Sequence, residues 1–141
     1  MSESGGKHQR GILDTSTLIH FNRFQEVGLL PEVSVVTTIT LAELSVGPLI
    51  VKSEVERARR MAHLQQLEAS FNPLPFDTDA ARAFGSVAAS LRQTGRRMES
   101  RQKDAMIAAI ALANDLPVYT CNPRDFEGID GLEVVPVPVP L

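Results

Sequence analysis

The sequence predicts an α/β domain built on a short parallel sheet with helices covering both faces. Short stretches rich in apolar and β-branched residues alternate along the chain with longer stretches that have helical spacing. The short stretches are continuously apolar, which is typical of strands buried on both faces of a parallel sheet. Because the chain has 141 residues, we expect residues 1–141 to form one domain.

The first half of the chain is predicted to contribute two strands and three helices. The predicted elements are, in order, a flexible arm over 1–9, a strand over 11–14, a helix through 18–24, a strand over 33–37, a helix around 41–44 and a long helix over 52–71. The 33–37 stretch is rich in β-branched residues, which favour strands. We expect Thr38 or Thr40 to cap the helix around 41–44, and Gly47 with Pro48 to end it.

The second half is predicted to supply two more helices and two more strands. The predicted elements are at most a very short strand over 72–77, a helix from Asp77 or Thr78 that Gly95 interrupts, a helix over 104–113, strands over 116–120 and 132–136, and an extended proline-rich tail over 136–141. After its aspartate, the 104–113 stretch is apolar on all sides, which predicts a helix buried in the middle of the domain. The prolines of the tail cannot continue a central strand.

Composition excludes several classes of protein. No apolar run approaches the roughly 20 residues that a membrane span needs, and no hydrophobic segment follows the N-terminal charges as in a secretory signal. The single cysteine, Cys121, allows no intrachain disulfide, so we expect a cytoplasmic protein. The three histidines are scattered without zinc-ligand spacing.

Charge is unevenly distributed along the chain. The net charge is −3, which does not by itself indicate a nucleic-acid binder. A basic run within twelve residues nevertheless comprises Arg92, Arg96, Arg97, Arg101 and Lys103, opposed only by Glu99. A second basic group lies in the predicted long helix, at Arg57, Arg59 and Arg60. Such runs are either solvated helix faces or contacts for phosphates, and their position relative to other residues decides between the two.

Four acids far apart in sequence are predicted to meet at one edge of the sheet. In a parallel sheet the ligand crevice lies beyond the carboxyl ends of the strands. Asp14 ends the first strand, and Glu43 lies in the helix that leaves the second. Asp104 opens the buried helix, and Asp125 follows the third strand with Asn122 just before it. Each acid alone could be a turn, cap or solvent-facing residue, but the four together predict a shared site.

The predicted acid cluster has the chemistry of a site for a hard divalent cation. Clustered carboxylates repel one another unless a cation or a proton intervenes. Oxygen ligands without histidine or thiolate are what Mg²⁺ and Mn²⁺ prefer. Such an ion, beside a basic rim that could hold phosphates, suits phosphodiester hydrolysis. The residues of that rim are Arg96, Arg97, Arg101 and Lys103, directly before Asp104.

At these residues the sequence resembles PIN-domain ribonucleases, and specifically the VapC-type toxins of bacterial and archaeal toxin–antitoxin pairs. The matching stretches are L-D-T-S-T-L-I at 13–19, T-L-A-E-L-S-V-G at 40–47, K-D-A-M-I-A-A-I-A at 103–111 and Y-T-C-N-P-R-D-F at 119–126. Their order and separation fit the family, so the resemblance covers nearly the whole chain.

The resemblance implies roles for individual residues of this chain. It implies metal-binding acids at Asp14, Glu43 and Asp104. Where some family members have a further aspartate this chain has Asn122, so either Asn122 or Asp125 is the fourth ligand, and we favour Asp125. The small hydroxyl positions near the site are Ser16 and Thr120, which would orient water or carboxylates. Arg101, one helical turn before Asp104, would contact phosphate.

The resemblance also implies an activity and partners. The implied activity is that of a Mg²⁺-dependent endoribonuclease that cleaves RNA, with Mn²⁺ as a substitute, and the implied fold is α/β/α. The implied partners are a second copy of the chain in a homodimer and a VapB-like antitoxin, a peptide of which lies across the active-site groove and inhibits the enzyme.

Three rival interpretations exist. A haloacid-dehalogenase-type phosphatase requires a second acid where Ser16 stands, and a receiver domain requires an acid pair and a lysine that are not visible. A PIN-like fold that only binds a partner, without catalysis, is the remaining alternative.

Overall fold

A computed structural model describes residues 8–97 and 101–139, and these contain a four-stranded, wholly parallel sheet with strand order β2-β1-β3-β4. The strands are β1 (Arg10–Leu13), β2 (Val33–Val35), β3 (Val118–Thr120) and β4 (Val134–Pro136). The helices are α1 (Thr15–Leu18), α2 (Phe21–Glu26), α3 (Thr38–Ile50), α4 (Glu54–Ser70), α5 (Thr78–Gln93) and α6 (Gln102–Ala113), with a 3₁₀ helix at Pro123–Phe126. Residues 1–7 of the predicted arm, Glu99 of the basic run and residues 140–141 of the predicted tail lie outside the described residues.

Helices cover both faces of the sheet because successive strand residues are apolar and point in opposite directions. Ile12 of β1 aligns with Val35 and Val118, and these three pack in one cluster with buried residues of α5 and α6. Leu13 and Tyr119 pack on the opposite face with residues of α1, α2 and α4. Helix α6 is almost wholly buried from Ala105 to Ala111, apart from Met106, as its all-round apolar sequence predicts. The predicted α/β/α fold class is confirmed.

Gly11, in the central strand β1, leaves room for the side chain of Tyr119 on the neighbouring strand β3. A Cβ atom at this position would lie 2.6 Å from Cε1 of Tyr119 on the neighbouring strand, too close for any side chain. The Tyr119 ring therefore occupies the space that a side chain at residue 11 would take. Its hydroxyl accepts a hydrogen bond from the backbone N of His8, 3.2 Å away.

Residues 8 and 9, which we predicted to belong to a flexible arm, form contacts with the rest of the domain. The backbone N of Val33 donates to the carbonyl of Gln9 at 2.8 Å, and His8 Nε2 lies 2.7 Å from Glu133 Oε2. Residues 8 and 9 therefore do not belong to a flexible arm. At the other end, the backbone N of Val137 donates to the carbonyl of Thr120 at 2.8 Å, and Val137 is buried.

The predicted bounds of helix α3 were wrong at both ends. Its N-cap is Thr37, whose hydroxyl accepts from the backbone N of Thr40 at 3.3 Å, rather than Thr38 or Thr40. The helix also continues past Pro48 to Ile50. Arg57 of α4 explains this, because its guanidinium donates to the carbonyls of Pro48 and Val51 at 2.9 and 2.8 Å and satisfies the end of α3.

Two further helices begin or break where the sequence did not indicate. The predicted helix through 18–24 is two helices, because the backbone of His20 leaves the helical region (φ −113°, ψ 24°). Helix α6 begins at Gln102, with Arg101 in the N-cap position, so Asp104 lies within the first turn instead of opening the helix. Within residues 8–97 and 101–139, no helix combines the length and the hydropathy that crossing a bilayer requires.

Candidate active site

The candidate site lies at the carboxyl edge of the sheet, between its two central strands. From β1 the connection leads to β2 on one side, and β3 lies on the other side, so the carboxyl ends of β1 and β3 flank a topological switch point. Asp14 follows β1 and Thr120 ends β3. The backbone N of Asp14 donates to the carbonyl of Tyr119 at 3.2 Å, which fixes the two strand ends beside each other.

Asp14 is held by neutral donors on both of its carboxylate oxygens. Its Oδ1 accepts from Ser16 Oγ at 2.9 Å, from the backbone N of Thr17 at 3.1 Å and from Thr17 Oγ1 at 2.8 Å. Its Oδ2 accepts from Thr120 Oγ1 at 2.6 Å. The residue is only 4% exposed and also serves as the N-cap of α1. The orientation of this carboxylate is therefore set by the protein itself.

Glu43 projects from α3 and has a different partner on each oxygen. Thr15 Oγ1 donates to its Oε1 at 2.6 Å, while Lys103 Nζ lies 3.7 Å from its Oε2. Thr15 Oγ1 also lies 3.0 Å from Thr40 Oγ1. Neither Thr15 nor Thr40 was predicted to belong to the site, and Thr40 was expected only as a possible helix cap. Their positions gave a signal, since Thr15 follows Asp14 and Thr40 precedes Glu43 by one helical turn.

Asp125 lies in the 3₁₀ helix after β3 and forms an ion pair with Arg101. Arg101 Nη1 is 2.5 Å from Asp125 Oδ1, and both side chains are partly exposed. The resemblance implied that Arg101 binds phosphate. In the structure it instead pairs with Asp125, which is a predicted metal ligand. Asn122 is exposed, and its backbone N donates to Thr120 Oγ1 at 2.9 Å. That contact supports the hydroxyl which in turn holds Asp14.

Asp104 shares an electrostatic environment with the three other acids. Burial raises the pKa of its carboxyl, and the negative charges of Asp125, Asp14 and Glu43 raise it further, to about 7. The positive charge of Arg101 acts in the opposite direction. The charges of the three other acids therefore all act on Asp104, although the four come from four different parts of the chain.

The donor chemistry of this cluster fits a hard divalent cation. All of its side-chain donors are oxygens, which Mg²⁺ and Mn²⁺ prefer. In the described part of the chain, however, no three His, Cys, Asp or Glu side chains stand close enough to ligate one ion together. Arg101 lies beside the carboxylate of Asp125, and Lys103 beside that of Glu43. Asp125 and Glu43 would have to leave these basic partners to join a shared ion.

Some members of the two basic groups make contacts within the protein. Arg96 donates to the carbonyl of Arg124 at 2.7 Å and to Glu127 Oε1 at 2.8 Å. In the second group, Arg57 caps α3, and Arg59 and Arg60 pair with Glu56 on their own helix. These contacts explain the second group as a structural feature of the α3–α4 pair. Lys103 is 68% exposed at the rim of the acid cluster.

Comparisons with known proteins agree with this architecture. The PIN domain family matches residues 12–132. Ribonuclease VapC5 of Mycobacterium tuberculosis is 39% identical over 129 residues, covering 90% of this chain and 93% of the relative. Ribonuclease VapC of Rickettsia bellii is 29% identical over 131 residues, covering 91% and 96%.

Solved structures give the same result. VapBC-5 from Mycobacterium tuberculosis, a member of the VapBC family of toxin–antitoxin systems, superimposes with a TM-score of 0.78 at 38% identity, covering 92% of this chain and 99% of the other. DNA-bound VapBC from Salmonella typhimurium superimposes with a TM-score of 0.72 at 27% identity, covering 90% and 96%. The haloacid-dehalogenase and receiver-domain interpretations are thereby set aside. The resemblance to VapC-type proteins is confirmed, and the chain belongs to the PIN domain family.

Proposed function

We propose that this chain is a metal-dependent endoribonuclease and the toxin of a toxin–antitoxin pair. The observation that carries the proposal is a set of contacts around Asp14 and Asp104. Thr15, next to Asp14, donates to Glu43, while Arg101 and Lys103, just before Asp104, lie beside Asp125 and Glu43. The raised pKa of Asp104 agrees with this arrangement. Four carboxylates in one environment destabilise a folded protein unless they serve to bind a cation. Relatives that match over nine-tenths of the chain are named as ribonucleases, which supports the same activity.

The four acids would hold Mg²⁺, with Mn²⁺ as a substitute. A bound ion would supply an activated water and neutralise charge that develops on the phosphate. The protein contributes the orientation of the ligands. Ser16, Thr17 and Thr120 fix Asp14, while Asp104 stands in the first turn of α6 beside the partial positive charge of the helix N-terminus. Asp125 is the proposed fourth ligand, and Asn122 the alternative.

The basic run would hold the phosphates of the RNA beside the acids. Arg101 and Lys103 come shortly before Asp104 in the sequence, and they lie beside the carboxylates of Asp125 and Glu43. When a divalent cation neutralises those carboxylates, the same two side chains become available for phosphate oxygens. The basic run would then have two roles. Without a divalent cation it neutralises the charge of the carboxylates, and with the cation bound it binds the phosphates of the RNA.

The proposed partners follow from the relatives. The two similar structures described above are named as VapBC proteins, and the one from Salmonella typhimurium is bound to DNA. We therefore expect a VapB-like antitoxin that inhibits this chain and carries the DNA-binding function. A homodimer and a cytoplasmic location belong to the same proposal. The alternative is a PIN-like module that binds a partner without catalysis, which would need the same fold but not the acid cluster.

Substitution of Asp104 tests the proposal against that alternative. Asp104→Asn keeps the size of the side chain and removes the charge, so it should lower Mg²⁺-dependent RNA cleavage roughly a thousandfold, which corresponds to several kcal/mol of transition-state stabilisation. The matched control is Asp79→Asn, an exposed aspartate in the first turn of α5 that pairs with Arg82. Equal cleavage by both variants and the wild type would contradict the proposed site, and a wild-type chain without Mg²⁺-dependent cleavage would favour the binding module.

A further inference from the structure

We propose that Thr15, supported by Thr40, is a positioning residue for the carboxylate of Glu43, a role that rests on the metal-dependent activity proposed above. Thr15 begins α1, directly after Asp14, and its Oγ1 lies 2.6 Å from Glu43 Oε1 on α3. The same Oγ1 lies 3.0 Å from Thr40 Oγ1. Two threonine hydroxyls therefore connect the elements that carry two of the four acids.

The direction of this chain of hydrogen bonds follows from the number of protons. A threonine hydroxyl has one proton to donate, and an ionised carboxylate can only accept. The proton of Thr15 is directed to Glu43, so Thr40 must donate to Thr15. Hydrogen bonds aligned in this way polarise and strengthen one another, and the last of them, to a charged oxygen, has the short length expected of a charge-assisted bond.

Thr40, at the other end of this series of hydrogen bonds, is anchored in the core. Thr40 is fully buried, and its backbone N donates to Thr37 Oγ1, the N-cap of α3. Thr40 precedes Glu43 by three residues, which places the two side chains on the same face of α3. The position of Thr15 is fixed in turn by the capping of α1 by Asp14. The hydroxyl that reaches Glu43 is therefore held from both sides.

The two oxygens of Glu43 have different partners, and a bound cation could displace only one of these partners. Oε1 has a neutral donor that carries no charge to oppose a metal ion. Oε2 lies 3.7 Å from the cationic Nζ of Lys103, whose side chain is 68% exposed. A divalent ion would compete with Lys103 for Oε2 and leave the bond to Thr15 intact. Thr15 thus holds one oxygen so that the other is available to the ion.

Metal affinity measured without RNA tests this role directly. Binding of Mn²⁺ to the full chain is measured by calorimetry for the wild type, Thr15→Val, Thr15→Ser and Thr40→Val, with melting temperatures to confirm folding. We expect Thr15→Val to weaken Mn²⁺ binding about tenfold, as is typical when a group that orients a ligand is lost. Thr15→Ser retains the hydroxyl and should restore most of the affinity. Thr40→Val should weaken binding about two- to threefold, since it removes only the support of Thr15.

Control variants separate positioning from a general loss of stability. Thr94→Val removes a hydroxyl that donates to the carbonyl of Leu91 at the end of α5, and should leave Mn²⁺ affinity unchanged. In a Glu43→Gln background, Thr15→Val should cause no further loss of affinity, because the two residues act through one contact. The Mg²⁺ concentration for half-maximal RNA cleavage should shift by the same factor as the Mn²⁺ affinity.

The possible outcomes distinguish this role from the proposed function. If the wild type binds Mn²⁺ and Thr15→Val binds it equally well, the positioning role is wrong while the metal site stands. If Thr15→Ser is as weak as Thr15→Val, the hydroxyl is not responsible and the role is again wrong. A wild-type chain that binds no Mn²⁺ contradicts the metal site, and the role of Thr15 with it.

Discussion

The two sides of the acid cluster are held in different ways. Asp14 is buried and its carboxylate receives hydrogen bonds from hydroxyls and a backbone amide, none of which carries a charge. The side chains of Asp125 and Glu43 are partly exposed, and each has one oxygen facing a basic side chain, that of Arg101 or Lys103. A neutral donor can stay in place when a cation binds, whereas a cationic partner must be displaced. One side of the site is therefore preorganised and the other is exchangeable.

The largest expected difference between the two sides is in stability. Asp14→Ala leaves the buried hydroxyl of Thr120 without its acceptor and that of Thr17 with only the carbonyl of Tyr119. It also removes the N-cap of α1, and the two losses together should cost about 2–4 kcal/mol. Asp125→Ala removes one partner of a partly exposed ion pair and should cost about 1 kcal/mol. Urea unfolding at pH 7 measures both. Equal losses for the two variants would mean that the two sides are not held differently.

Asp104 lies between the two sides, and its raised pKa predicts how stability depends on pH without divalent cations. Its pKa is about 7 in the folded protein against an ordinary value of 3.8. Between these values the folded protein keeps a proton that the unfolded chain has lost, so the free energy of unfolding falls as pH rises from about 4 to 7. Asp104→Asn cannot titrate, and should gain stability over the wild type as pH increases through this window.

Thermal unfolding in EDTA at pH 5 and pH 8 measures this gain. The matched control, Asp79→Asn, should follow the wild type at both pH values, because its carboxylate is exposed and lies outside the cluster. If the difference in melting temperature between Asp104→Asn and the wild type is the same at pH 5 and pH 8, repulsion among the acids does not affect the stability of the fold.

The third prediction concerns the fourth ligand. Amides bind Mg²⁺ more weakly than carboxylates, so Asp125→Ala should raise the Mg²⁺ concentration needed for RNA cleavage by about tenfold, and Asn122→Ala by much less. The contact that Asn122 makes to Thr120 uses its backbone N, which alanine retains. Mg²⁺ titrations of cleavage rate compare the two variants. The reverse ranking would assign the fourth position to Asn122.

Much of this arrangement could be predicted from the sequence, because the acids occupy positions that the sheet topology itself brings together. Asp14 follows a buried apolar strand, and Asp104 begins a stretch that is apolar on all sides. The partners of the acids could not be predicted in the same way. The contact between Thr15 and Glu43 depends on how α1 and α3 pack, which no local pattern encodes.

The errors in the predicted fold have the same origin. Gly47 and Pro48 are a strong signal for the end of a helix, but α3 continues because Arg57, from the next helix, satisfies its last carbonyls. Polar residues 8 and 9 read as an arm, yet their carbonyls accept hydrogen bonds from the chain at the start of β2. In each case a contact with another element of the fold overrides a local preference that the sequence expresses correctly.

The smallest predicted effect tests whether Arg101 exchanges Asp125 for phosphate. If Arg101 binds RNA once a divalent cation has neutralised Asp125, Arg101→Ala should reduce the log–log salt dependence of RNA binding by roughly 0.7 in Ca²⁺. In EDTA the arginine stays on Asp125, and the reduction should be smaller. Between 50 and 200 mM salt, a slope change of that size corresponds to about a two- to threefold difference in affinity. Arg82→Ala, which removes an exposed arginine near the start of α5, is the matched control and should leave the slope unchanged. An identical reduction in Ca²⁺ and in EDTA would mean that Arg101 binds phosphate independently of the acids, and the exchangeable side of the site would then be limited to Lys103 and Glu43.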